Sequence, residues 1–182
     1  MGATTIYVTA IVALIFNVLY LQGATGATFV IQNHCSYTVW AAGIPVGGGQ
    51  ALGQGQSWSV GVPAGTSSGR FWGRTECSFD GSGNGRCSTG DCGGVLSCQL
   101  SGQPPATLVE YTLNGGNGNN QDFYDLSVID GFNVPLSLTP SDGSCQALTC
   151  NMDKCPDAYL TPPEPKSHAC PSGANYNIIL CP

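Results

Sequence analysis

The chain has 182 residues, of which five are Lys or Arg and eleven are Asp or Glu, so its formal net charge is −6. So few basic residues cannot form a patch that neutralises a phosphate backbone, and we expect no nucleic-acid partner. The negative charge suits a cationic partner or a neutral polyhydroxyl one and does not choose between them.

The chain begins with an apolar run, residues 6–21, which small residues follow. We interpret residues 1–26 as a signal peptide that is cleaved before Ala27, with Ala24 and Gly26 at the cleavage site. A membrane anchor is the alternative, but the sixteen residues of the run are fewer than the roughly 20 that a spanning helix needs. The sequence therefore predicts a secreted, extracellular protein with no stable membrane anchor.

The remaining residues, 27–182, suit one domain and contain all ten cysteines. An even number of cysteines in a secreted chain predicts five disulfides and no free thiol, although the spacing alone leaves the pairing open. A metal site is the alternative, but the chain has no Cys-x-x-Cys pair, and neither His34 nor His168 lies in a ligand motif. We therefore expect no metal and no cofactor, and we place both histidines in surface loops.

Six segments rich in Val, Ile, Thr and aromatic residues, separated by Gly, Pro, Asn and Ser clusters, predict short β-strands. These segments are residues 28–32, 38–42, 57–62, 70–75, 108–113 and 123–129. In the third segment, Trp58, Val60 and Val62 alternate with Ser and Gly, which is typical of a half-buried strand. The sequence predicts an all-β protein, most simply two packed antiparallel sheets with long loops held by disulfides.

Residues 83–98, GNGRCSTGDCGGVLSC, contain three cysteines within twelve residues and several glycines between them. Closely spaced disulfides, together with glycines that adopt positive φ without strain, predict a cross-linked loop and not a helix. Asp91 lies between Gly90 and Cys92, where we expect its carboxylate to accept backbone N–H bonds and hold the turn. A catalytic Asp91 is the alternative.

The same stretch resembles the signature of the thaumatin-like, pathogenesis-related plant proteins. The matching positions are Gly83, Gly85, Cys87, Thr89, Gly90, Asp91, Cys92, Gly94 and Cys98. The resemblance implies an antiparallel β-sandwich with disulfide-rich loops, and a protein secreted to the plant apoplast. It also implies the disulfide pairs Cys35–Cys181, Cys77–Cys87, Cys92–Cys98, Cys145–Cys170 and Cys150–Cys155. It does not by itself say which activity a member has.

The chain is shorter than the long members of this family in one place. A cross-linked loop domain lies there between the cysteines that correspond to Cys150 and Cys155, whereas here only residues 151–154 remain. The resemblance therefore indicates a short-form, ten-cysteine member that lacks most of the second loop domain. Because that domain forms the far wall of the family's cleft, we expect any acidic site here to lie in a shallow groove.

Two of the predicted strands, 108–113 and 123–129, alternate apolar residues with acidic ones, Glu110 in the first and Asp125 in the second. If both apolar faces look into the core of one hairpin, Glu110 and Asp125 project from the same side, and we expect Asp130 near them. Carboxylates gathered on one face raise at least one pKa, which yields a proton donor beside an ionised partner. The alternative is a solvated sheet face with no further role.

The resemblance favours a site on this face. Thaumatin-like proteins have a cleft lined by an Arg, a Glu and three Asp. Alignment of the words RFWGRT, LVEYTL and DFYDLSVIDGFN places the first four at Arg70, Glu110, Asp125 and Asp130. The fifth belongs near residues 162–166, where only Glu164 is available in a differently spaced segment, and we leave it unassigned. We refer to the predicted site as the acidic groove.

These residues support three functions, which we rank in order. The first is a plant defence protein that binds fungal cell-wall β-1,3-glucan, or otherwise perturbs a fungal surface, through the acidic groove and nearby aromatic rings. The second is a weak endo-β-1,3-glucanase with Glu110 as proton donor and Asp125 as nucleophile or base, although a groove that lacks a wall suits hydrolysis poorly.

The third function, which the resemblance to short-form cereal members suggests, is a proteinaceous inhibitor of microbial xylanase. The exposed loops 45–55 or 65–69 would then insert into the cleft of the glycosidase. We expect a binding protein more than an enzyme, and we expect it to be a monomer. Its partner is then either a fungal cell-wall polysaccharide or a microbial glycosidase.

Overall fold

The computed structural model describes residues 26–114 and 120–182, which form fourteen β-strands. No helix in these two ranges is long and apolar enough to cross a membrane. Residues 1–25 of the predicted signal peptide lie outside the described residues. The strands are β1 (Ala27–Asn33), β2 (Val39–Ile44), β3 (Gly48–Leu52), β4 (Ser57–Val62), β5 (Gly69–Arg74), β6 (Ser78–Phe79), β7 (Gly85–Arg86), β8 (Leu108–Thr112), β9 (Gln121–Ser127), β10 (Leu136–Pro140), β11 (Leu148–Cys150), β12 (Ala158–Tyr159), β13 (His168–Pro171) and β14 (Tyr176–Leu180).

A five-stranded sheet and a seven-stranded sheet enclose one apolar core, and β6 and β7 form a separate pair. The five-stranded sheet has the order β11-β10-β14-β1-β4. The seven-stranded sheet has the order β12-β9-β8-β5-β2-β3, and β13 also pairs with β9. The two ends of the domain meet in the first sheet, where β1 and β14 pair in parallel. The all-β prediction with two packed sheets is confirmed.

All six predicted strands are present, and their ends differ from the prediction by no more than two residues. The prediction of an exposed loop at residues 45–55 is wrong for the central part of that range, because β3 lies there and pairs with β2. Gly48 and Gly49 make this strand hard to recognise from propensity, and the pairing overrides their preference. His168 also departs from the surface-loop prediction, because it lies in β13 opposite Tyr124.

The apolar core between the sheets decides which face of each strand points inward. The Phe29 ring centroid lies 5.0 Å from that of Phe71, 4.6 Å from that of Tyr111 and 4.8 Å from that of Tyr176. The apolar residues of the two acidic segments also face this core, as the alternation predicts. They are Val109, Tyr111, Leu113, Tyr124, Leu126 and Val128. Side chains at the alternate positions of β5, β8 and β9 must therefore point away from the core.

The cysteine-rich loop covers one part of the outer face of the seven-stranded sheet. Trp72 and Leu108 of the sheet pack there against Cys92 and Cys98 in a second, smaller core. The Trp72 indole Nε1 donates a 2.8 Å hydrogen bond to the Gly90 carbonyl, which ties the loop to the sheet. The rest of that face remains available for a site.

Arg74 anchors the same loop from β5. Its side chain is completely buried. Its guanidinium donates hydrogen bonds of 3.1, 2.9 and 2.8 Å to the carbonyls of Trp40, Val95 and Leu96. Burial lowers the pKa of Arg74 to about 10, and the negative charge of Asp91 opposes this change. Arg74 therefore remains a cation at neutral pH and joins β2, β5 and the loop.

Five disulfides cross-link the described residues and leave no free cysteine among them. They join Cys35 to Cys181, Cys77 to Cys87, Cys92 to Cys98, Cys145 to Cys170 and Cys150 to Cys155. These are the pairs that the resemblance implies. The first of them spans 146 residues and joins the two ends of the domain.

We predict that the Cys35–Cys181 disulfide stabilises the domain more than the Cys150–Cys155 disulfide does. Replacing Cys35 and Cys181 with Ser removes a cross-link between residues that are 146 positions apart. In the loop-entropy model, this should lower the free energy of unfolding by about 5 kcal/mol. Replacing Cys150 and Cys155 with Ser removes a cross-link between residues that are five positions apart and should lower the free energy of unfolding by about 2 kcal/mol. Guanidinium unfolding followed by tryptophan fluorescence measures both, and equal losses would contradict the prediction.

We also predict that Gly69, the first residue of β5, cannot be enlarged without disturbing the core. Its register partner is Tyr111, and a Cβ at Gly69 would lie 2.1 Å from the Tyr111 ring. Gly69→Ala should therefore lower the free energy of unfolding by about 2 kcal/mol, because the ring must leave its place. Gly61→Ala in β4 is the matched control. A Cβ there meets nothing within 4 Å, and the change should stabilise the domain by about 0.5 kcal/mol. Similar effects in a chemical denaturation experiment would refute this explanation.

Candidate functional site

Three neighbouring strands bring Arg70, Glu110 and Asp125 into one row. The antiparallel register places Arg70 of β5 opposite Glu110 of β8, and Glu110 opposite Asp125 of β9. Because the adjacent positions of these strands face the core, all three side chains project from the outer face of the sheet. The alternation of apolar and acidic residues along the two strands predicts that Glu110 and Asp125 lie on this outer face. Alternation along one strand does not predict the position of Arg70, which the family resemblance implies and the pairing of β5 with β8 produces.

Arg70 and Glu110 form an ion pair across the two strands. Arg70 Nε lies 3.0 Å from Glu110 Oε1, and the two side chains are 34% and 29% exposed. Such an exposed pair contributes little to stability, because solvent screens it. Arg70 Nη1 also donates a 3.0 Å hydrogen bond to Ser101 Oγ. The pair therefore holds two opposite charges in a defined position and leaves both within reach of a ligand.

Asp125 completes the row. Burial raises the pKa of Asp125 to about 7, the negative charge of Glu110 adds to this rise, and the positive charge of Arg70 opposes it. Asp125 Oδ1 is buried and has no hydrogen-bond partner in the described part of the chain. Buried polar atoms are usually paired, so this oxygen is an exception that calls for an explanation. Below about pH 7 the carboxyl group carries a proton and can donate a hydrogen bond.

An open groove of about 250 Å³ lies over this row. It is lined by Ser68, Gly69, Arg70, Glu110, Tyr111, Thr112, Phe123, Asp125 and Ser167. Phe123 is 38% exposed and places an aromatic ring beside the charged residues. The acidic groove therefore offers a cation, two carboxyl groups and an apolar surface within one small concavity.

Asp130 and Glu164 do not line this groove. Asp130 follows the end of β9, and its carbonyl accepts a hydrogen bond from the Ala106 N–H. Ala106 precedes Glu110 by four residues, a distance of about 13 Å along an extended strand. Glu164 Oε2 accepts a 2.8 Å hydrogen bond from the backbone N–H four residues earlier, which closes a local turn. The charged part of the groove is therefore the three-residue row.

Asp91 has a structural role. Its carboxylate accepts hydrogen bonds of 2.8 to 2.9 Å from the backbone N–H groups of Cys87, Gly93 and Gly94. These bonds hold the turn, as the sequence analysis expects, and occupy both carboxylate oxygens.

One group of potential metal-binding side chains occurs in the described residues, and it consists of Asp142, Cys145 and Cys170. Both cysteines are joined in a disulfide and supply no thiolate. A single carboxylate remains, which does not make a metal site.

Sequence reasoning misses two neutral neighbours of the row, Ser101 and Ser167. Ser167 lines the groove because it directly precedes β13, which pairs with β9. Ser101 reaches Arg70 from the segment that follows the Cys92–Cys98 loop. Neither has a local signal, because each is brought to the row by contacts between residues far apart in the sequence.

Comparisons with known proteins identify the family of this chain. The family model described as the Thaumatin family matches residues 33–177, a range that includes the whole row. The chain belongs to the thaumatin family. It is 56% identical over 173 residues to a thaumatin-like protein of Oryza sativa subsp. japonica, with 94% of each chain covered. It is 53% identical over 176 residues to the pathogenesis-related protein 1A/1B of Hordeum vulgare, with 96% of this chain and 99% of that one covered.

A solved structure in this family is also similar. The thaumatin-like xylanase inhibitor TLXI matches with a TM-score of 0.67 and 35% identity, covering 85% of this chain and 99% of that one. The thaumatin-family sandwich of the present chain has a short connection of four residues between Cys150 and Cys155. It is therefore a short form of the fold.

The raised pKa of Asp125 predicts that this residue makes stability depend on pH. An unfolded aspartate titrates at about 3.9, whereas Asp125 titrates at about 7 in the folded protein. Between about pH 4 and pH 7, the folded state keeps a proton on Asp125 that the unfolded state has lost. The contribution of Asp125 to stability is therefore fully present below about pH 4, is lost as the pH rises to about 7, and is constant above that.

Asp125→Asn imitates the protonated form and should therefore remove the loss of stability that occurs as the pH rises. The variant should unfold about 2–4 °C above the natural protein at about pH 8, and at a similar temperature at about pH 4. Thermal unfolding at both pH values measures the difference. Asp153→Asn, in the exposed Cys150–Cys155 loop, is the control and should show no pH-dependent difference. A shift for Asp125→Asn that is the same at both pH values would contradict the assignment.

Proposed function

We propose that this protein is a secreted plant defence protein whose acidic groove binds the β-1,3-glucan of fungal cell walls. The observation that carries the proposal is the alignment of Arg70, Glu110 and Asp125 on one open sheet face. The names of its relatives in rice and barley, thaumatin-like and pathogenesis-related, support a role in defence. Five disulfides in a small domain support secretion into an oxidising compartment.

The row offers both kinds of hydrogen-bonding group that a sugar requires. The Glu110 carboxylate accepts bonds from hydroxyl groups, the Arg70 guanidinium donates them, and the Asp125 carboxyl group donates while it is protonated. Asp125 lines the same groove, so its carboxyl group adds a third hydrogen-bonding side chain to the two of the ion pair. A neutral polyhydroxyl ligand also avoids the repulsion that an anion would meet in a chain of net charge −6.

The groove also has an apolar surface that fits the C–H face of a pyranose ring. Phe123 precedes Asp125 by two residues in β9, so both side chains lie on the same face of the sheet. A sugar ring that packs on Phe123 would bring its hydroxyl groups towards Asp125 and Glu110. Aromatic packing and charged hydrogen bonds would then act on one sugar unit.

The geometry supports binding more than hydrolysis. The groove is open and has a volume of only about 250 Å³, so it encloses little of a long polysaccharide. A glycosidase needs binding energy from several sugar units to distort the one that it cleaves. If hydrolysis does occur, the raised pKa of Asp125 favours Asp125 as the proton donor, with Glu110 as the second carboxyl group. This reverses the roles that the sequence analysis gives to the two residues.

A second candidate function is inhibition of a microbial xylanase. TLXI, whose name describes a xylanase inhibitor, is 35% identical to this chain and is 99% covered by it. The segments available for insertion into a glycosidase are the turns at the two ends of β3, residues 45–47 and 53–56, and residues 65–68, all largely exposed. They replace the longer loop that the sequence analysis predicts at residues 45–55.

We predict that a protein lacking residues 1–26 sediments with insoluble β-1,3-glucan and releases no reducing sugar from soluble β-1,3-glucan. Glu110→Gln should weaken glucan binding about tenfold, because a neutral amide is a weaker acceptor than a carboxylate. Phe123→Ala should weaken it about fivefold through the loss of ring packing. Asp153→Asn is the control for charge and should bind like the natural protein.

The same preparations distinguish the alternatives. Reducing-sugar release that is abolished by Glu110→Gln or Asp125→Asn would identify a glucanase. Inhibition of a fungal xylanase without sedimentation on glucan would favour the second candidate. Sedimentation that Glu110→Gln leaves unchanged would show that the acidic groove is not the glucan site.

A further inference from the structure

A larger concavity of about 470 Å³ lies at the other end of the outer face of the seven-stranded sheet. We call it the Trp40 pocket, and its lining is Tyr37, Thr38, Trp40, Thr75, Glu76 and Asn133. In β2, Ile44 lies opposite Arg70 of the acidic groove, whereas Trp40 lies opposite Arg74. Ile44 and Trp40 are four positions apart in β2, which separates the two concavities by about 13 Å. The second core, formed with the cysteine-rich loop, covers the same face between these two ends.

Glu76 holds an uncommon backbone conformation at the edge of this pocket. Its φ is 51°, in the left-handed region that Gly or Asn adopts more readily than Glu. The residue is exposed, and its carboxylate joins no ion pair within residues 26–114 and 120–182. Glu76 therefore presents an uncompensated carboxylate from a backbone position that glycine would occupy with less strain.

Glu76 also borders a second concavity, of about 410 Å³. Its other lining residues are Ser78, Arg86, Cys87 and Ser88. The two concavities share Glu76 as a lining residue. The second one lies beside the loop between Cys77 and Cys87, which a disulfide joins. The first is aromatic and the second is polar. A ligand that occupies both must be elongated and must combine apolar faces with polar groups.

We propose that the Trp40 pocket and its continuation past Glu76 form a second carbohydrate site, which takes a linear chain of two or more neutral pyranose units. Trp40 and Tyr37, the latter 45% exposed, provide aromatic surfaces on which one sugar ring packs. The Glu76 carboxylate accepts hydrogen bonds from the hydroxyl groups of that ring and of the next one. The serines beyond Glu76 are hydroxyl partners for the second ring.

The charge of the protein favours a neutral polysaccharide over an acidic one as the ligand. Glu76 stands where the two concavities meet, and the whole protein carries a net charge of −6. A polymer of uronic acids would meet repulsion there, because Arg86 of the second concavity is a single cation against the Glu76 carboxylate and the net charge of the protein. The site shares no lining residue with the acidic groove, so it extends the proposed function without resting on it. Two sugar sites on one sheet face would also let a polysaccharide bind bivalently.

The Trp40 indole N–H signal in a ¹H–¹⁵N spectrum of the folded protein tests this site. Comparison with Trp40→Phe identifies the signal among those of the three tryptophans. We expect it to shift on titration with laminarihexaose or chitohexaose, which are neutral, and to stay in place with an oligogalacturonate. Tyr37→Ala should weaken the affinity about fivefold, and Glu76→Gln should weaken it about tenfold. Unchanged indole signals of Trp58 and Trp72 confirm that the variants are folded.

Two controls keep this site separate from the acidic groove. Glu110→Gln and Asp153→Asn should leave the Trp40 titration unchanged, whereas only the first should weaken sedimentation on glucan. The proposal is overturned if neither neutral oligosaccharide moves the Trp40 signal, or if Tyr37→Ala and Glu76→Gln both bind like the natural protein. A shift with the oligogalacturonate alone overturns the neutral assignment.

Discussion

The packing of Phe29 against Phe71 and Tyr111 sets the register on which both the core and the site depend. Side chains alternate along a strand, so directing Phe71 and Tyr111 inward directs Arg70 and Glu110 outward. A slip of one residue would bury those charges and expose the aromatic rings, at a large cost in free energy. The apolar core and the charged row are therefore two results of one register.

The cysteine-rich loop adds a third layer over part of this sheet. Trp72 and Arg74 fix it in place, one through packing and the other through hydrogen bonds to main-chain carbonyls. Disulfides hold the loop where regular secondary structure is sparse, so its shape does not depend on helices or long strands. The cross-linked loop therefore bounds the open ends of the sheet face with a rigid wall.

Each concavity contains a feature that stability alone does not favour. In the acidic groove, Asp125 keeps a buried oxygen without a protein partner, beside the like charge of Glu110. In the Trp40 pocket, Glu76 adopts a left-handed backbone conformation. Local strain and unsatisfied polar groups of this kind concentrate at functional sites. The rest of the fold, with its cross-links and dense aromatic core, tolerates both.

Local patterns in the sequence were enough to predict the all-β class, six strands and the side of the sheet shared by Glu110 and Asp125. Each of these follows from alternation along a single strand or from the composition of a short segment. The family resemblance added Arg70 to the predicted site, and tertiary structure alone decided that Asp130 lies outside the groove and that β3 replaces a predicted loop. It also decided that Tyr37, Trp40 and Glu76 line one pocket. These features depend on pairing and packing between distant segments, and one strand's own pattern carries no information about its neighbour in the sheet.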